Sequence, residues 1–92
     1  MANIQVKQSH QLSAAESKQA AQKVADGLAQ EYGLSCRWQD DCLHFERSGV
    51  TGTLSLLPQE AVINLKLGIM MSTFAPVLQE KIGKKMAQVF VA

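Results

Sequence analysis

The sequence predicts an α+β fold, a two-layer sandwich in which an antiparallel sheet of about four strands carries two helices on one face. Three observations predict it. A capped amphipathic helix lies near the start of the chain, apolar–polar alternation fills the middle, and a second amphipathic helix follows it. The order is β-α-β-β-β-α, with a further strand if the two arms of the central hairpin count separately rather than as one bent pair.

Ile4 and Val6 alternate with Asn3, Gln5 and Lys7, which suits a short first strand. Ser13-Ala14-Ala15-Glu16 has the form of a capping box, with Leu12 placed before it as a staple. The helix that follows sets Ala21, Val24, Ala25, Leu28 and Tyr32 on one side, and Lys18, Gln22, Lys23, Asp26 and Gln30 elsewhere. Gly33 ends it, because a left-handed residue at that point costs glycine nothing, and Leu34 can fold back on the last turn. Cys36 to Gln39 and Cys42 to Arg47 are the arms of a hairpin about Asp40-Asp41. Val50 to Leu57 turns Gly52, Leu54 and Leu56 inward against Thr51, Thr53 and Ser55. After a turn at Pro58-Gln59-Glu60, Val62 to Met70 turns Ile63, Leu65, Leu67 and Ile69 inward against Asn64, Lys66 and Gly68. Ser72 or Thr73 then caps a second helix with Pro76 in its first turn, where a missing N–H costs nothing. Phe74, Leu78, Ile82, Met86, Val89 and Phe90 form its apolar stripe. The pattern leaves open whether the first strand lies beside the last strand or beside the hairpin.

Composition narrows the class. A chain of 92 residues with 47% hydrophobic and 18% charged residues is a folded domain, not a disordered tail. It has room for one core, so residues 1–92 are expected to form a single domain. A net charge of +1 gives no general attraction to nucleic acid. Met1-Ala2-Asn3-Ile4-Gln5 lacks the apolar segment of a secretory signal, and no apolar run of about 18 residues is present to span a bilayer. The expectation is a soluble, cytoplasmic protein.

Pairing Gln39 with Cys42 across the hairpin turn puts Cys36, Trp38, Leu43 and Phe45 on one face. Cys42 falls on the other with Arg37, Gln39, His44 and Glu46. Two cysteines on opposite faces cannot bring their Cβ atoms to the distance of about 4 Å that a disulfide needs. Cys36 is then a small buried residue and Cys42 a free thiol near the surface. Cys42 and His44 share a face, but two ligands are too few for structural zinc, so no metal and no cofactor are expected.

Catalytic machinery is not expected either. The candidate nucleophiles are Ser48, Cys42 and several threonines, the only histidines are His10 and His44, and no Gly-x-Ser-x-Gly elbow occurs. In an extended strand Ser48 and His44 would stand about 13 Å apart. Asp40 and Asp41 sit at a turn tip, where water solvates both.

Arg47-Ser48-Gly49-Val50-Thr51-Gly52 is a hexapeptide that no general turn rule demands. With Tyr32-Gly33-Leu34-Ser35-Cys36 and Leu43-His44-Phe45-Glu46 before it and Lys66-Leu67-Gly68 after it, the chain from His10 to about Met86 resembles the small polyhydroxyalkanoic acid system family. These are bacterial proteins linked to the polyester storage granule. The resemblance implies a setting and no defined reaction.

Two segments are the candidate binding residues. Arg47, Ser48 and Gly49 have a structural reading, in which Gly49 supplies a positive φ, Arg47 pairs with neighbours of Glu46 or caps a helix terminus, and Gly52 marks a bulge or a close approach of the first helix. In the functional reading Arg47 is a fixed cation in a partner groove. Lys81, Lys84 and Lys85 flank the apolar stripe of the second helix. They either border a face that lies on a granule surface, or complement the helix dipole while the stripe packs on the sheet. Part of that stripe, with Val91 and the Met70-Met71 pair, suits an exposed contact with a granule or a second copy.

The resemblance and these residues together lead to a non-enzymatic protein that binds the granule surface or granule proteins. The alternative is a dimeric regulatory module acting on the polyester system's enzymes without touching polymer. A small-ligand carrier of helix-grip type is the third class, and the short chain leaves it little room for an enclosed cavity.

Overall fold

The computed structural model describes residues 2–90. Its elements are β1 (Ala2–Ser9), α1 (Ala14–Tyr32), β2 (Ser35–Gln39), β3 (Cys42–Arg47), β4 (Val50–Leu57), β5 (Glu60–Leu67), a 3-10 turn (Ser72–Phe74) and α2 (Ala75–Val89). The sheet is wholly antiparallel in the order β1-β5-β4-β3-β2. It has five strands rather than about four, because Asp40 takes a φ of 56° and turns the chain within two residues, so the hairpin arms are separate strands. β1 lies at the edge beside β5, with Ala2 opposite Leu67 and Ser9 opposite Glu60.

α1 begins as its sequence dictates. The Ser13 hydroxyl accepts the Glu16 N–H at 3.1 Å and the Glu16 carboxylate accepts the Ser13 N–H at 3.1 Å. Hydrogen bonding to the carboxylate from the Ser13 backbone N–H first, and from the Ser13 hydroxyl second, holds the Glu16 carboxyl below its ordinary pKa. Gly33 closes the helix at φ 69°, its N–H donating to the Ala29 carbonyl at 3.0 Å. Ala20, Ala21, Val24, Ala25 and Leu28 are buried, while Tyr32 is only half-buried.

The hairpin register is Gln39 to Cys42, Trp38 to Leu43, Arg37 to His44 and Cys36 to Phe45. The core lies between the helices and one sheet face, where Ile4, Leu43, Phe45, Leu54, Ile63, Leu65 and Leu67 are buried. Leu78, Ile82, Met86 and Phe90 close it from α2, which packs over β1. Phe90 also stacks on the buried ring of His10, whose Nδ1 accepts the Leu12 N–H at 3.1 Å. The other sheet face is polar: Gln5, Asn64, Thr53, His44 and Arg37 align in one row across it.

Three details of the second half differ from the expectations. β5 ends at Leu67 rather than Met70, because Gly68 donates its N–H to the Gly49 carbonyl at 2.8 Å and the chain coils away from the sheet. α2 has no side-chain cap from Ser72 or Thr73. It is entered through the 3-10 turn, and the Ser72 hydroxyl donates instead to the Ile69 carbonyl at 2.9 Å. Val89 is half-buried rather than core, and Val91 lies outside the described residues.

Candidate functional site

After β5 the backbone winds through successive tight turns, with Met71 N–H to the Gly68 carbonyl at 3.0 Å and Phe74 N–H to the Met71 carbonyl at 3.0 Å. Winding this close to the sheet end leaves little room to fold every side chain inward. Ile69 is 79% exposed and Met70 88%, and Phe74 and Val77 follow at 52% and 51%. Ile69 and Phe74 were expected in the core. Ile69 lies beyond the strand that would have aimed it inward, and Phe74 stands about 80° around the helix axis from the centre of the Leu78, Ile82 and Met86 stripe. Met71, beside Met70, is half-buried against the core. The result is an apolar tip of four large side chains within nine residues of chain.

The lysines continue from that tip. At 100° per residue, Lys85 and Lys81 border the buried stripe of α2, and Val77 and Lys84 lie further round the same side. Lys81 Nζ lies 3.9 Å from Glu31 on α1, and Lys84 Nζ lies 3.3 Å from Glu80 one turn back. Both pairs are exposed and contribute little to stability. All three lysines line a groove of about 310 Å³ between α1 and α2, walled by Val24, Leu28 and Ile82. The stripe they flank is itself buried, so the lysines border a helix–helix groove and not an open apolar face.

The hexapeptide makes structural contacts. The Arg47 guanidinium donates to the carbonyl of Tyr32, the last residue of α1, and so caps that helix. Ser48 is exposed in the turn, and Gly49 takes a φ of 82°. The close approach at Gly52 comes from β5 and not from α1: a Cβ there would overlap the Asn64 carbonyl oxygen and Leu65 Cδ2. No bulge interrupts the pairing of β4 with β5. Arg47 does share a small crevice with Tyr32 and Met71, which places it at the base of the apolar tip.

The family model described as "Putative polyhydroxyalkanoic acid system protein" matches residues 4–90. The chain belongs to that family. No individually curated protein shows significant similarity to it. Membership in the polyhydroxyalkanoic acid system family is consistent with association with that system and leaves the chain's contacts to be read from its own surface. No helix among the described residues is long and apolar enough to cross a membrane. Nor do they gather three metal-ligating side chains; Cys42 and His44 remain a pair.

Both cysteines are unbonded and half-buried, so Cys36 is less deeply buried than expected. Cys36 Sγ lies 3.6 Å from the Ala25 carbonyl. Desolvation first, and the nearby charge of Asp26 second, raise its pKa. The thiolate is the reactive form. Brief alkylation of the native protein at pH 8 is therefore expected to modify Cys42 ahead of Cys36, as read by peptide mass mapping. Faster labelling of Cys36 would contradict this packing.

Proposed function

We propose that this protein is a non-enzymatic binding protein of the polyhydroxyalkanoate system, and that it docks on the granule surface through the turn that leads into α2 and that helix's first residues. The observation that carries this reading is the apolar tip formed by Ile69, Met70, Phe74 and Val77. Such a cluster costs solubility and gives the fold nothing, whereas a polyester surface is an apolar partner for it. Burying even half of these four side chains is worth roughly 4 kcal/mol before the cost of association. Lys81, Lys84 and Lys85 lie along the same side of α2, and each would add roughly 1 kcal/mol against an anionic coat. The protein would then divide between cytoplasm and granule. A protein partner, either a granule protein or a second copy, could engage the same tip, and that is the second reading.

Co-sedimentation with protein-stripped granules decides between them. The wild-type chain is expected to bind, and the variant carrying Met70→Gln and Phe74→Gln to bind about a hundredfold more weakly, having lost the burial of two large side chains. Changing all three lysines to glutamine should weaken binding in a salt-dependent way, and by less if the surface is neutral. If the wild-type chain sediments only with granules that keep their protein coat, direct docking is wrong and the partner-binding reading stands.

A further inference from the structure

We infer that the groove between α1 and α2 is a binding site for the anion of a medium-chain alkanoic or hydroxyalkanoic acid. The groove is about 310 Å³, at the small end of ligand sites, which suits a single chain and excludes a coenzyme-sized molecule. Val24, Leu28 and Ile82 give it apolar walls. Gly27 leaves its α1 side bare: a Cβ there would meet only Lys85 Cε, at 3.9 Å. Glycine inside a helix costs stability relative to alanine, and here its effect is to keep the groove open.

Charge selects the head group. Three lysines against one glutamate leave the lining with two net positive charges. Lys81 and Lys84 already face Glu31 and Glu80. Lys85 has no ion pair among the described residues and is half-buried at the groove, so it is the cation available to a carboxylate. Tyr32 lines both this groove and the small crevice beside Arg47, and its hydroxyl is closed off with no hydrogen-bond partner. A buried polar group of that kind is rare, because leaving it unpaired is costly. With the alkyl chain along Leu28 and Ile82, a turn of the Tyr32 ring toward the groove would let the hydroxyl of a hydroxyalkanoate satisfy it. The repeat units of the polyester have this chemistry, an acid, a hydroxyl and an alkyl chain.

The test is an NMR titration of the full chain with octanoate, 3-hydroxyoctanoate, octyl phosphate and octylammonium. Octanoate is expected to bind saturably at roughly millimolar concentration, with amide shifts centred on Val24, Gly27 and Lys85. The hydroxy acid should bind more tightly, and Tyr32→Phe should abolish that advantage while leaving octanoate unchanged. Lys85→Gln, which removes the charge and leaves the buried core residues untouched, should weaken both acids about tenfold. Gly27→Leu should block the groove without removing charge. Tighter binding of octyl phosphate would replace the carboxylate with a phosphate head group and overturn the assignment. Equal binding of octylammonium, shifts centred on Ile69 to Val77, or an unaltered affinity in Lys85→Gln would overturn the site itself. Granule sedimentation through the tip is a separate measurement, so either reading can fail alone.

Discussion

Replacing Ile82 with alanine is expected to cost about 2–5 kcal/mol. Ile82 is 2% exposed, between Leu78 and Met86 on the one face of α2 that meets the sheet. Truncation removes its transfer energy and leaves a cavity that rigid neighbours cannot close, since β1 and β5 are tied together along eight residue pairs. A domain of this kind has about 5–15 kcal/mol in total, so the loss is a large share. Urea midpoints at unchanged slope measure it. Val77→Ala on the same helix is the control, because Val77 is half in water and its loss should stay within about 0.5 kcal/mol. Coincident midpoints for Ile82→Ala and wild type would mean that α2 is not docked.

Local signals were legible where they were complete in sequence. The capping box needs only Ser13 and Glu16, and Gly33 needs only its missing Cβ, so both ends of α1 could be placed without knowing the fold. The hairpin register followed from the two-residue turn, since every later pairing is counted outward from it. Strand ends were less legible. Ile69 continues the alternation of Ile63, Leu65 and Leu67, yet the bond from Gly68 to the Gly49 carbonyl, from a turn 19 residues earlier, ends β5 first. Alternation reports a strand's faces and says nothing of where a distant turn stops it.

The same limit governs the site. Helical spacing made Phe74 look like the first residue of the core stripe. Entry through a 3-10 turn instead leaves it beside Val77, outside the core. Met70 was the one residue of the tip whose exposure the sequence suggested. Lys81, Lys84 and Lys85 were seen to flank the stripe, but their groove forms only where α1 lies opposite, with Gly27 among its lining. Arg47 could be read as a helix cap or as a partner's cation, and the carbonyl it meets, that of Tyr32, is supplied by the fold. Such partners come from tertiary geometry and leave no periodicity to find.

Gly52→Ala is expected to destabilise the fold by about 3 kcal/mol or more, although it adds a single methyl group. Gly52 sits in β4, paired with Phe45 on one side and Leu65 on the other, at the centre of the five-stranded sheet. A Cβ would overlap Leu65 Cδ2 and the Asn64 carbonyl oxygen and stand 3.0 Å from Leu65 Cα. The leucine methyl can rotate away, but the carbonyl belongs to the backbone of β5. Moving it strains the pairing of two central strands, and Leu65 is part of the buried core that would shift with it. Gly83 is the contrasting case: nothing lies within 4 Å of a Cβ there, so Gly83→Ala should stabilise α2 by up to about 1 kcal/mol through helix propensity alone. Chemical denaturation of the two variants side by side measures the difference. A Gly52→Ala protein as stable as wild type would show that β4 and β5 do not approach each other this closely.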